Sequence, residues 1–324
     1  MPPRPPTPGP RGPLPRRQPH REPPKQPGPP PSGQKGSSST SQALRQAAVE
    51  TRKIHGKTSY KYTLKEVTRL DSQYCPNFPQ PATIRVVNDD TTNAGLSLAA
   101  AAHPAGMDWP QHDWNPLIVN FANEHVPGGG WLGGALAQEE TIFYRSSLSF
   151  SLFPEQYPLA DGAVYSPYVL VVRDDIASGH RLMDFRKPRA LPVLGAVTVA
   201  AIRGPAIRTV DVPGRGSRAR QKQVFARDSE RNVTKGKMRL TLRMAAYNRH
   251  RRLVLGALGC GCWLEVLRED EFLGNWWDDV WFAVYDLKKT GNFEVFKRVL
   301  DGKTVCVSGD VKGVWGEVVE GSSF

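Results

Sequence analysis

Cysteine is scarce in this chain of 324 residues, with four in all: Cys75, Cys260, Cys262 and Cys306. A disulfide-stapled scaffold is excluded by that count, and the scarcity suits a reducing compartment. Cys260 and Cys262 are separated by one residue and lack a second nearby Cys/His pair, so the spacing argues against a zinc site. No His/Asp cluster suggests another metal, and no cofactor is expected. No run of about 20 apolar residues is present, which removes a membrane-spanning helix from consideration. The N-terminus lacks the apolar core of a secretory signal, so the cytosol or the nucleus is the expected location.

What is present divides unevenly. Residues 1–41 are rich in proline, arginine and serine, with Arg16-Arg17-Gln18-Pro19-His20-Arg21 and Ser37-Ser38-Ser39. Such a segment buries too little apolar surface to offset its ordering entropy, and it is expected to be a disordered tail of polyproline II character. The formal net charge is +12, from 43 Lys+Arg against 31 Asp+Glu. Roughly half of that excess lies in the first ~40 residues, so it describes the tail more than the folded part. A solvated basic tail, a nuclear localisation patch and attraction to a polyanion all remain open for it, and any contact with nucleic acid is expected there. A folded domain over 42–312 and a short tail over 313–324 complete the expected organisation, with a monomer as the oligomeric state.

Within the domain, strand and helix patterns alternate. Helices are expected over 43–55, 93–102, 138–147, 235–248 and 292–300, and Cys262-Trp263-Leu264-Glu265 reads as the middle of another. Strands are expected over 83–87, 116–122, 168–172, 193–202, 252–255 and 280–285. The polar stretch 203–231, with Arg215, Arg218, Arg220 and Lys222, is expected to be an exposed loop. The alternation implies an α/β layered domain.

The chemistry concentrates in Pro127-Gly128-Gly129-Gly130-Trp131 and Gln138-Glu139-Glu140. A glycine triplet lets backbone N–H groups approach an anion closely, since no Cβ obstructs and positive φ costs little. By itself it is a tight turn. Two carboxylates in the first turn of a helix gain from its dipole, which explains an acid there but not a pair preceded by glutamine. Together the two features point to a phosphorylated sugar and acid–base chemistry. Adjacent glutamates cannot flank a glycosidic bond from opposite sides, as the usual carboxylate pair does.

These segments carry a resemblance. The run from Asn120-Phe121-Ala122-Asn123 through the glycine triplet to Gln138-Glu139-Glu140 closely resembles the signature of microbial-type poly(ADP-ribose) glycohydrolases, most broadly the fungal members. Val86-Val87-Asn88-Asp89-Asp90-Thr91, Val164-Tyr165-Ser166-Pro167 and Leu255-Gly256-Ala257-Leu258-Gly259-Cys260-Gly261 extend the likeness over about residues 41–310. The resemblance implies a macrodomain-like three-layer α/β/α sandwich with a mixed sheet. It implies hydrolysis of ribose–ribose bonds, with poly(ADP-ribose) or ADP-ribosylated proteins as the partner. Glu140 would be the acid/base and Glu139 would hold ribose hydroxyls. Gly128, Gly129, Gly130, Gln138, Asn120, Gly259, Cys260 and Gly261 would form the rest of the substrate site, with the glycine loop pinning the diphosphate. Gln138 is also read as placing that loop. Phe121 and Asn123 are expected to support it from behind, and Tyr144 and Tyr165 stand between ring contact and core packing.

One departure qualifies the resemblance. After Gly259-Cys260-Gly261 the family continues with a loop that wraps the far side of the diphosphate and supplies an aromatic ring. Here Cys262-Trp263 follows at once, and Trp263 aligns with a helix core rather than with that ring. A weakly binding ADP-ribose module is therefore the alternative to an enzyme. A nucleic-acid-binding protein ranks last, because no aromatics interleave with the basic residues.

Overall fold

A computed structural model describes residues 42, 45, 59–102, 115–186, 191–212, 220–258 and 262–305. The expected tails over 1–41 and 313–324, most of the expected helix over 43–55 and the turn Gly259-Cys260-Gly261 lie outside the described residues.

Seven strands form one mixed sheet: β1 (Tyr60–Thr63), β2 (Thr83–Val87), β3 (Leu117–Ala122), β4 (Gly162–Leu170), β5 (Val193–Ala200), β8 (Arg252–Gly256) and β9 (Asp279–Ala283). Their order is β1-β4-β5-β3-β8-β9-β2. The run from β5 through β3, β8 and β9 to β2 is parallel, while β4 and β1 add antiparallel at one edge. Central parallel strands are covered on both faces, which is why β3, β5 and β8 read as unbroken apolar runs. In β3, Leu117 and Val119 enter one core while Ile118 and Ala122 enter the other.

Those two cores define three layers. On one face lie α4 (Asp228–Tyr247), α5 (Cys262–Leu267) and α6 (Asn292–Leu300), through Met238, Leu242, Val266, Phe296 and Val299. On the other lie α1 (Thr91–Ala102), α2 (Gln138–Arg145) and α3 (Leu148–Ser151), through Leu98, Ile142, Phe143 and Leu148. The expected α/β/α sandwich with a mixed sheet is the observed architecture. Trp263, Trp277 and Phe282 fill the first core, with Trp263 only 1% exposed and edge-on to Phe282 at 6.2 Å. Trp263 is a core residue.

Three expectations need correction. The stretch 203–231 is not a loop: β6 (Ile207–Val212) and β7 (Arg220–Phe225) pair antiparallel from Ile207↔Phe225 to Val212↔Arg220, and α4 begins at Asp228. Ile207, Val210, Val212, Val224 and Phe225 supply the β-branched and aromatic residues that strands favour, and Phe225 anchors the hairpin on the core. The strand expected over 168–172 begins earlier, at Gly162, and its register slips between Ser166 and Val169. Pro167 sits in that slip, where it has no N–H to donate to the ladder. The helix expected to run to 147 stops at Arg145, because Ser146 turns extended and bridges to Val171.

Candidate functional site

Strands β3, β8, β9 and β2 all end at one edge of the sheet, the edge where open α/β sheets bind ligands. From the end of β3 the chain passes through residues 123–137 and enters α2, so the glycine triplet and the glutamates lie over that edge. Gly128 and Gly129 adopt φ of +72° and +52°, which an L side chain rarely takes. Space forbids a side chain as well: a Cβ at Gly129 would stand 2.7 Å from Glu140 Oε1, and one at Gly128 would stand 2.3 Å from the Phe143 ring.

The loop is wired to the carboxylates. Gly128 N–H donates to Glu139 Oε1 at 3.0 Å, and Asn123 N–H donates to Glu139 Oε2 at 2.7 Å. Gly130 N–H donates to Glu140 Oε1 at 3.1 Å, and Gly129 N–H donates to Val126 O at 3.1 Å. The three amides offered to a diphosphate by the sequence are therefore engaged within the protein, two of them on the glutamates. Glu139 and Glu140 are both buried in the first turn of α2. Burial is the main influence on Glu139 and pushes its carboxyl up to about 7. Its two backbone donors and Asn120 oppose the shift, while the neighbouring Glu140 charge adds to it.

Gln138 spends its amide on the sheet. Its Oε1 accepts from Phe121 N at 2.7 Å, and its Nε2 donates to Val119 O at 2.7 Å and to Thr91 Oγ1 at 2.9 Å. It thereby ties β3 to the starts of α1 and α2. Asn120 is fully buried in β3; its Nδ2 donates to Thr198 Oγ1 at 3.3 Å. Asn123 folds its own turn, its Oδ1 accepting from His125 N at 2.9 Å and Val126 N at 3.1 Å. Phe121 lays its ring over Gly256, where a Cβ would stand 2.5 Å from the ring. Tyr144 and Tyr165 are core residues: Tyr144 O–H meets Trp131 O at 2.6 Å and Ala135 O at 2.8 Å, and Tyr165 O–H meets His250 Nε2 at 2.7 Å. Gly259, Cys260 and Gly261 lie outside the described residues.

Two features of this edge were not read from the sequence. Arg145, at the end of α2, is 1% exposed, and its Nη1 meets both Asp90 oxygens at 2.8 Å. Its Nη2 donates to Asn93 Oδ1 at 2.7 Å, and Asn93 Nδ2 reaches Asp89 at 3.1 Å and Asp175 at 3.2 Å. This network joins the start of α1 to the end of α2. Asp89 and Asp90 lie in a segment that carries the family resemblance, but nothing in sequence spacing connects it to Arg145, 55 residues from Asp90. Just past β9, Tyr285 presents a ring that is 57% exposed, and partial burial of its hydroxyl, with the charges of Asp90, Asp89 and Asp175 adding to it, raises its pKa. An isolated tyrosine after an apolar strand gives no signal of such a position.

Among the described residues no group of three or more His, Cys, Asp and Glu is placed to hold a metal, and no helix is long and apolar enough to cross a membrane.

Residues 34–174 match the family described as microbial-type PARG, catalytic domain. No curated protein matches the chain. Among solved structures, the poly(ADP-ribose) glycohydrolase of Thermomonospora curvata is 25% identical with a TM-score of 0.56, over 78% of this chain and 97% of that one. The same bacterial enzyme bound to the inhibitor ADP-HPD is similar in fold, with a TM-score of 0.55 and 24% identity over 78% of this chain and 97% of that one. A glutamate-to-alanine mutant of it gives a TM-score of 0.53 and 26% identity, over 76% of this chain and 94% of that one.

Proposed function

The chain belongs to the microbial-type poly(ADP-ribose) glycohydrolase family, and from that premise we propose that it hydrolyses the ribose–ribose O-glycosidic bonds of poly(ADP-ribose) and releases ADP-ribose. The observation that carries the site assignment is the fixing of two neighbouring, buried carboxylates by the amides of Gly128, Gly130 and Asn123.

The two carboxylates differ in commitment, and that separates their roles. Both oxygens of Glu139 accept a backbone N–H, which suits a fixed acceptor for ribose hydroxyls. Among the described residues Glu140 is held by a backbone N–H through Oε1 only, leaving Oε2 to exchange a proton. Glu140 protonates the departing ribose oxygen as positive charge grows on the anomeric carbon. Water attacks that carbon, and Glu140 takes back a proton as base. The ligand's own diphosphate stabilises the cationic centre, a part that a second carboxylate plays in most glycosidases. With two of its amides committed to the glutamates and the third to Val126 O, the 128–130 loop contributes a surface free of side chains against which the diphosphate lies. Tyr285 offers its open ring to the adenine, and Asp89 beside it offers an acceptor for an amino group.

The binding-module alternative is not favoured, because a module that only holds ADP-ribose has no need of two desolvated carboxylates. Replacing Glu140 by glutamine tests the assignment: hydrolysis should fail while binding of ADP-ribose persists.

A further inference from the structure

Lys237 lies in the middle of α4 and is 7% exposed. Its Nζ donates to Ala200 O at 2.6 Å and to Leu159 O at 3.4 Å. Ala200 is the last residue of β5 and pairs with Ala122, the last residue of β3, at the edge that carries the site. Leu159 in turn donates its N–H to Glu124 O at 2.9 Å. The residue before Glu124 is Asn123, whose N–H holds Glu139 Oε2 at 2.7 Å. Hydrogen bonds thus form a path from the lysine to a site carboxylate through residues 157–161, a strap between α3 and β4.

A buried ammonium is costly, and an apolar side chain of similar volume would serve packing at least as well. Burial lowers the pKa of Lys237, and the carboxylates of Glu124 and Asp161 act against that shift. Stability alone therefore gives no reason for a lysine at this position. Its two acceptors do: one ends the strand beside β3, and the other belongs to the strap that fixes Glu124.

We propose that Lys237 is a positioning residue for Glu139, holding the 157–161 strap and the end of β5 so that the Asn123 amide stays on Glu139 Oε2. The inference rests on the reading of Glu139 as the ribose-binding carboxylate. It assigns Lys237 no contact with substrate.

The test compares the full-length protein with Lys237→Met and Lys237→Arg, by ADP-ribose release, thermal unfolding and hydrogen exchange at the Asn123 amide. Lys237→Met should keep or raise the melting temperature, lower kcat/KM about tenfold or more, and speed exchange at Asn123. A purely structural lysine would show the reverse, a lower melting temperature with kcat/KM within about twofold of the parent. Should Lys237→Met fail to fold, Lys237→Arg carries the test. Its fork cannot reproduce both bonds of a point donor, so faster Asn123 exchange and reduced kcat/KM are expected. Unchanged exchange and kcat/KM in the folded variant would overturn the proposal. An inactive parent protein would contradict the glycohydrolase reading, and exchange at Asn123 would still decide the role of Lys237.

Discussion

Gly128 donates its backbone N–H to Glu139 Oε1 at 3.0 Å, so the glycine loop grips the carboxylate that it was expected merely to adjoin. Gly130 does the same for Glu140 at 3.1 Å. Loop and acid pair are one unit, and disturbing either disturbs both.

Gly129→Ala should show this. A Cβ there would stand 2.7 Å from Glu140 Oε1, at a φ of +52°. The backbone penalty alone is about 1–2 kcal/mol, and the clash displaces the acid. Hydrolysis should fall by about 100-fold, with only a modest decrease in melting temperature. Parent-like turnover would mean that Glu140 does not need its present position.

Glu139 gives a dependence on pH. Its folded value of about 7 lies above the ordinary 4.5, so the folded state holds the proton more tightly than the unfolded one. Stability from this group is full below about pH 4.5 and is lost as pH rises through 7. The loss amounts to about 3 kcal/mol by pH 8. Glu139→Gln should therefore unfold at a higher temperature than the parent at pH 8, with the difference vanishing near pH 4. Activity should behave oppositely in the parent protein. If ionised Glu139 receives the ribose hydroxyls, turnover should decline as pH drops below about 7.

Arg145 and Asp90 form a pair in which the arginine is 1% exposed and the aspartate 14%. Removing one partner strands the other in a poorly solvated site, at a cost of about 3 kcal/mol or more. Arg145→Met should lower the melting temperature accordingly, as thermal unfolding would show. An unchanged midpoint would mean that solvent reaches Asp90 freely.

Tyr285→Ala examines the adenine end. Base–aromatic stacking is worth about 1–3 kcal/mol, so the KM for poly(ADP-ribose) should rise by about tenfold with kcat little changed. Since the ring is 57% exposed, the melting temperature should hardly move. A lower kcat at constant KM would place the adenine elsewhere.

Much of this was legible in the sequence for physical reasons. Apolar β3 and β5 had to be buried strands, and α6 was expected over the residues it occupies, because each carries a strong periodic pattern. The glutamates and the triplet were found because their combination is hard to explain as a turn and a helix start alone. What escaped depends on distance in the chain. The Arg145–Asp90 pair spans 55 residues. The Lys237 bond to Ala200 spans 37. No local pattern encodes either. The β6–β7 hairpin was hidden by the Gly/Arg/Ser composition between its strands, and its β-branched and aromatic residues Ile207, Val210, Val212, Val224 and Phe225 follow no regular alternation. The engagement of the glycine amides was invisible too, since a sequence shows which donors exist but not where they point.

The most direct measurement is release of ADP-ribose from poly(ADP-ribose) by the purified protein, run beside Glu140→Gln. A general acid contributes about 10²–10⁴-fold, so the account predicts turnover by the parent and a loss of at least 100-fold in the variant, with ADP-ribose still bound. Equal turnover by the two proteins would remove Glu140 as the acid, and no turnover by either would contradict the assignment of this chain as an enzyme.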